Sequence, residues 1–474
     1  MSPDIKPIVL EPTTLATKIC LDMNPTRRNP LAILAGLLCV CFCVCCNVSA
    51  DDSWPQFRGP NGDGIALGQN VPIEFGEKQN VSWKTEIPGR AWSSPVVADG
   101  VVWLTTAIEK VPDEDKRIAL LRAAGVEEKK LKIKSIAESI LLQLVSVDLA
   151  TGKILKSIDL GVVEGPDSIH SQNTYASPTP VIDGQRIYCH FGTFGTFCLD
   201  RVSGQKIWER LLPLEHKEGP GSSPIVYKNI LVLIQDGVDR QYVAALDKMT
   251  GETLWETERP EMDAPDGDQK KSYCTPVALS DMSGRDQVIC LGAQWMVSYD
   301  PKTGDELWKV RHGSGFSVVP RPVVKDDIVF FATGFGKPEL WAVRIDGSGD
   351  VTETHVLWRE PKGISKKPSP LLHDGLIYII SDDGIASCFS SEDGELIWKK
   401  RVGGDYSSSP LFAGGHIYFG SHDGKVTVLK PGADGEIVAE NQIEGQIMAS
   451  PVAVDNALLI RSDKALYRFE SPKI

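Results

Sequence analysis

The sequence predicts an all-β protein, an eight-bladed β-propeller of four-stranded antiparallel blades, and three observations predict it. An apolar strand entered through Ser-Pro or a close variant recurs eight times, among them SSPVVADGVVWLTT at 93, SSPIVYKNILVLIQ at 222 and SSPLFAGGHIYFGS at 408. With Pro95, Pro180, Pro224, Pro276, Pro322, Pro370, Pro410 and Pro451 as anchors, six of the seven intervals are 40 to 52 residues. A Trp returns at one equivalent point in five of the copies, at Trp208, Trp255, Trp308, Trp358 and Trp398, mostly as (T/S/D)-G-x-x-x-W. Self-similarity with four short strands per period is the signature of a propeller.

Within each copy the order is the same. Pro opens the first strand, where no ladder donor is needed, and a turn, often Asp-Gly, leads into the second strand. A loop then leads to a third strand such as VAALDKMTG and a fourth such as GETLWET. A large ring at one equivalent point of every fourth strand is suited to packing between neighbouring sheets. The eighth copy has three strands before Ile474; NVSWKTEIP at 80–88, with Trp83, supplies the fourth and removes two open sheet edges. The 85-residue first interval holds an insertion at 107–144, whose EDKRIALLRAAG and EEKKLKIKSIAESILLQ have helical periodicity and mixed charge. It is a lid or docking surface over one face, or a solvated decoration.

Ahead of the propeller, residues 31–46 read LAILAGLLCVCFCVCC, preceded by Arg27-Arg28 and followed by Val48-Ser49-Ala50. A basic region, a short apolar run and small residues describe a secretory signal peptide over 1–50, with Met23 as an alternative start. The run is too short for a stable membrane span, so the mature chain is expected outside the cytoplasm, periplasmic or extracellular. Residues 51–79 form an N-terminal extension and 80–474 the propeller. The mature part keeps Cys189, Cys198, Cys274, Cys290 and Cys388, an odd, scattered set that is no disulfide scaffold. Cys189 and Cys198 flank a turn and either face each other or are buried thiols.

Composition narrows the function. The chain of 474 residues is 42% hydrophobic and 24% charged, a globular balance. Its net charge is −13, and the four basic and three acidic side chains of 1–50 leave the remainder at −14, which disfavours a nucleic-acid partner. There is no GxSxG, HExxH, Walker loop or GxGxxG, and no His pair or Cys/His set at metal spacing, so no catalytic or metal-binding residue is assigned.

Chemistry is expected on the face formed by the loops between blades and those joining second to third strands, the top face. Near the axis before the Pro anchors lie Arg90, Trp92, Tyr175, Tyr273, Phe316, Arg321, Lys366 and Tyr406. Farther out are Asp236, Asp239 and Arg240, Trp295, Lys337, Asp382 and Asp383, and His422 and Asp423. Arg90, Trp92, Tyr175, Asp236, Trp295, Arg321, Lys337 and Tyr406 are taken as the candidate ligand contacts. Aromatics with Arg and Lys around one pore suit a planar, anionic or sugar-like ligand. The competing reading makes the Asp-Gly pairs turn residues and the rings plugs of the channel.

The Ser-Pro strand starts, the LD-x-x-TG turns and the repeated Trp resemble the PQQ-like β-propeller family over about 80–470, and SWPQFRGPNGDGIA is similar to the start of secreted bacterial members. That family holds pyrroloquinoline quinone dehydrogenases and BamB-type outer-membrane assembly lipoproteins. The resemblance implies either an exported, non-catalytic module that binds an envelope protein or glycan through its top face, or a divergent quinone-dependent oxidoreductase using pyrroloquinoline quinone with calcium. The dehydrogenases carry adjacent cysteines, a carboxylate and Asn calcium set, a catalytic Asp and a Trp floor. This chain has no adjacent cysteines after residue 50 and no matching calcium set, and only Trp295 is nominated for a floor. The expectation is therefore a binding propeller without cofactor, acting as a monomer.

Overall fold

The computed structural model describes residues 53–313 and 315–471. The expected signal peptide lies outside the described residues. Eight sheets of four or five strands follow one another and close into an eight-bladed propeller. Blade 1 comprises Val96–Ala98, Val101–Lys110, Ser139–Asp148 and Ile154–Glu164. Blade 3, with Ile225–Tyr227, Ile230–Asp236, Gln241–Asp247 and Thr253–Glu258, shows the unembellished pattern. In blade 8, Val81–Thr85 pairs antiparallel with Leu466–Glu470, so one N-terminal strand closes the ring. No helix of the described residues is long and apolar enough to cross a membrane.

The blades are locked together at two radii. Outside, the fourth-strand Trp donates its indole N–H to the turn between third and fourth strands of the next blade: Trp83 to Leu149 O (2.9 Å), Trp208 to Lys248 O (3.2 Å), Trp255 to Pro301 O (3.0 Å), Trp358 to Ser391 O (3.3 Å) and Trp398 to Gly432 O (2.9 Å). Each ring also lies flat against a glycine of that turn. A Cβ at Gly251 would stand 2.7 Å from the Trp208 ring, and the φ of +76° there already favours glycine. Trp308 is the exception; its indole bonds Gln287 Oε1 at 2.7 Å within its own blade.

At the axis, the residue before each Pro anchor joins a ring of hydrogen bonds. The backbone N–H of Ser94 donates to Thr179 Oγ1, Thr179 to Ser223, Ser223 to Thr275, Arg321 to Ser369, Ser369 to Ser409, Ser409 to Ser450 and Ser450 to Ser94, at 2.9–3.2 Å. Arg321 has no hydroxyl to offer Thr275, and there the ring is broken. This is why Ser or Thr precedes seven of the eight Pro anchors: each side chain satisfies the backbone donor of its neighbour where no ladder partner exists.

Of the segment 51–79, expected as an extension, the described part from residue 53 onward is integral to the propeller. Trp54 bridges Val97 in the first strand of blade 1, and Pro55 O accepts from Ile182 N of blade 2. The chain then crosses the channel, and Ile65–Ala66 pairs parallel with the first strand of blade 7 at Phe412 and Ala413. This strap closes the end of the channel opposite the top face.

The insertion also differs from expectation. The second and third strands of blade 1 run to ten residues each, so 107–110 and 139–144 are strand and the excursion spans 111–138. Its first half is the helix α1, Glu114–Ala123, whose N-terminus is capped by Asp113 accepting from Lys116 N at 2.9 Å. Its second half is a 3-10 turn, Glu128–Ile133, and then Lys134–Ser135 pairs with Ile169–His170. The expected second helix gives way because Ile140 is taken into the third strand of blade 1, while Ile136 packs under the arch against Leu121 and Leu131.

Cys189 and Cys198 lie on paired strands but one register apart, opposite Phe197 and Tyr188, and so face opposite sides of the sheet. All five described cysteines are buried and none forms a disulfide.

Candidate functional site

The strap makes the axial channel a blind funnel of about 440 Å³. Phe57 forms its floor, the seven ring hydroxyls its lower wall, and Trp92, Tyr273, Phe316 and Phe335 its aromatic upper wall. Lys130 and Ile133 of the insertion reach the rim, so the insertion arches over the mouth. All seven ring side chains are at least nine-tenths buried. Their oxygens accept backbone N–H groups, but apart from Ser409, which donates to Ser369, no hydrogen bond takes up their hydroxyl protons.

Below the floor lie two guanidiniums, Arg58 and Arg321, 2% and 3% exposed. Arg58 donates to Pro370 O at 2.8 Å and to Asp63 O, and Arg321 to Phe57 O at 2.7 Å. Arg58 Nε and Nη1 and Arg321 Nε are left without a partner. Burial lowers Arg58 to about 9, against the pull of Asp63 and with a push from Arg321; burial likewise lowers Arg321 to about 10. Both remain charged at neutral pH. The strap folds closely around them: a Cβ at Gly62 would fall 2.0 Å from Arg321 Nη1, and Gly62 adopts φ +69°.

The mouth is built of lysine–carboxylate pairs. Lys134 of the arch donates to Lys217 O and Glu218 Oε1, both at 2.6 Å, and Lys130 lies 3.4 Å from Asp268. Lys271, fully buried at its side chain, bonds Asp268 Oδ1 at 2.8 Å and His216 O at 3.0 Å, and burial lowers its pKa. Burial pushes Asp268 up, but Lys271 and Lys130 outweigh it and hold the carboxyl below its ordinary range. Behind this wall His216 accepts from Thr193 N at 3.2 Å, and His190 pairs with Thr196 Oγ1 at 2.8 Å. Burial depresses both imidazoles, His190 to about 4 and His216 to about 3, the latter helped by His190 and Lys271. The Tyr273 hydroxyl is buried without a partner, and burial raises its pKa well above the usual value.

Of the eight residues nominated from sequence, Trp92 lines the funnel, its indole donating to Gln172 O at 2.9 Å. Arg90 stands beside it, stacked over the Trp92 ring and bonded to Ser171 O, at a second depression between blades 8 and 1. Arg321 is under the floor, not at the mouth. Tyr175 is fully buried, its hydroxyl tied to Asp167 O and Ala137 N, and Tyr406 is fully buried as well. Asp236 pairs with Arg259 through both oxygens at 3.2 Å, the two side chains 0% and 1% exposed. Trp295, flanked by Lys309 and Arg311, bonds Glu261 O away from the funnel, and Lys337 is an exposed turn residue. Asp383 and Asp423 accept from Ser381 and Ser421 within their own turns.

Sequence reading passed over the ring hydroxyls, although the Ser or Thr before each Pro anchor was the available signal. Lys271, Glu218 and Asp268 had no comparable signal, since nothing local marks them as facing one cavity.

The donor set does not fit a calcium-bound quinone. No three His, Cys, Asp or Glu side chains of the described residues gather to hold a metal ion. The floor is Phe57 rather than Trp, no cysteine lines the funnel, and Glu218 and Asp268 are engaged by lysines.

A family model described as outer membrane protein assembly factor BamB matches residues 141–400 and 339–473. No protein of curated function matches the chain. Among solved structures, a europium-containing methanol dehydrogenase aligns with TM-score 0.60 at 11% identity, over 86% of this chain and 89% of that one. The quinohemoprotein alcohol dehydrogenase of Comamonas testosteroni aligns with TM-score 0.60 at 11% identity, over 90% and 82%. BamB from Moraxella catarrhalis aligns with TM-score 0.49 at 16% identity, over 72% and 94%. The two dehydrogenase likenesses speak for the fold alone.

Proposed function

The chain belongs to the PQQ-like β-propeller family, whose matching model is described as outer membrane protein assembly factor BamB, and from that premise we propose that it is an exported, non-catalytic binding propeller. It holds a protein or glycan of the cell envelope at its top face and works in the periplasm or outside the cell. The observation that carries this reading is the blind funnel, whose wall offers aromatic faces and hydroxyl donors but no cluster of free carboxylates or thiols for redox chemistry. The arch at 111–138 adds a second, polar surface beside the opening.

The test is thermal unfolding of residues 51–474 with pyrroloquinoline quinone and calcium, paired with capture from an envelope extract. A saturating ligand at a hundred times its dissociation constant adds about 2.7 kcal/mol. The binding reading expects no such shift, and capture of a partner that is lost with Trp92→Ala. A clear shift, with dye reduction in the presence of alcohols or sugars, would replace it by the oxidoreductase reading.

A further inference from the structure

The funnel is electrostatically one-sided. Two buried guanidiniums lie beneath its floor, and among the described residues neither has a carboxylate within ion-pair distance; Asp63 acts on both only at longer range. Above them, six ring hydroxyls keep a proton that no acceptor among the described residues takes, on side chains that are at least nine-tenths buried. Buried donors without acceptors, over uncompensated positive charge in a low-dielectric site, are stabilised by a negatively charged acceptor group. At the rim the carboxylates Asp268 and Glu218 are each paired with a lysine, with Glu218 Oε2 left as the one unpartnered carboxylate oxygen among the described lining residues, well above the hydroxyl ring.

We propose that the funnel takes a ligand carrying an oxyanion, a carboxylate or phosphate, seated head-down on the hydroxyl ring above Phe57 and Arg321, with the polar body of the ligand against Trp92 and Phe316. The proposal rests on the binding reading above and names the chemistry of the group bound. Because the oxyanion is of either kind, the probes separate the two sources: glucuronate for carboxylate, glucose 6-phosphate for phosphate, and glucose as the neutral control.

Met448 lines the funnel, whereas Met282 is 77% exposed on a turn at the opposite face. Methyl-labelled methionine therefore reports the site with a control built in. The expected result is a saturable shift of the Met448 methyl signal with glucuronate or glucose 6-phosphate, weakened by added salt, with Met282 unmoved and glucose inert. Ser223→Ala should weaken the anion by about tenfold, the worth of one hydrogen bond to a charged group. Lys367→Gln, at the rim, should weaken it less and serves if the ring variant does not fold. Glucose shifting Met448 as strongly as the acids would overturn the oxyanion while leaving a binding funnel in place. No shift with any of the three overturns the proposal, and the capture experiment then judges the binding reading on its own.

Discussion

The two ends of the axial channel are closed by different physics. At the floor, the strap is held by buried packing and by guanidinium bonds to backbone carbonyls; Trp54 is 2% exposed and Arg58 reaches Pro370 O, 312 residues away. At the mouth, the arch is held by a small apolar cluster around Leu121 and Leu131, by the largely buried pair Lys134–Glu218, and by the partly exposed pair Lys130–Asp268, whose side chains are 32% and 26% exposed. Dry packing is insensitive to salt and mild acid, whereas exposed pairs are screened and contribute little each. The difference makes the floor the end expected to carry global stability and the mouth the end expected to respond to salt.

Four measurements break or sharpen that contrast. Trp54→Ala should cost about 3–5 kcal/mol in urea unfolding, the usual range for removing a buried Trp. A loss under about 1 kcal/mol would show that the strap is not packed as a core element.

Acid should act through the wall of the mouth. His190 and His216 have folded-state pKa values depressed to about 4 and about 3, so the unfolded chain binds more protons once the pH drops below about 6.5. Stability is then present at neutral pH and lost as the pH falls from about 6.5 toward 4, by about 2 kcal/mol for each histidine at pH 5. Asp268, held low by its lysines, loses its contribution only below its ordinary range, near pH 4. Imidazole signals titrating near 6.5 in the folded chain would remove the effect.

Ser409→Ala, between the two ends, should cost about 1 kcal/mol, one net hydrogen bond of the ring. Lys130→Ala should change global stability by less than about 1 kcal/mol yet raise amide exchange across 113–135. Unchanged exchange there would mean that Lys134 and the buried Leu121 and Leu131 alone hold the arch.

The architecture was legible because its signals are local. Pro at a strand start, glycine in a turn and Trp before a polar alternation each act within a few residues, and eight copies in phase leave one arrangement that closes on itself. Trp83 was legible as the missing outer ring of blade 8 for the same reason. The site was less so. Trp92 was chosen because an aromatic residue lay just before an anchor, and the same rule chose Tyr175 and Tyr406, which are buried instead. One or two residues relative to the anchor separate a funnel wall from a packed interior, and a single sequence does not say which way the loop turns. Asp236 read as a free top-face acid because its partner Arg259 lies 23 residues on, at the far edge of the blade's strands.

What the chain by itself determined was the repeat, the blade count and the closing strand, since alternation and turn chemistry are properties of short segments. Only the tertiary structure decided that FRGPNGDG crosses the channel, that Ser450 meets Ser94, and that a lysine of the arch reaches Glu218. Those contacts join residues from tens to hundreds of positions apart. Their cause is the closure of the ring, which brings eight separate loops to one axis and leaves the ring hydroxyls and two guanidiniums around a space that no local pattern describes.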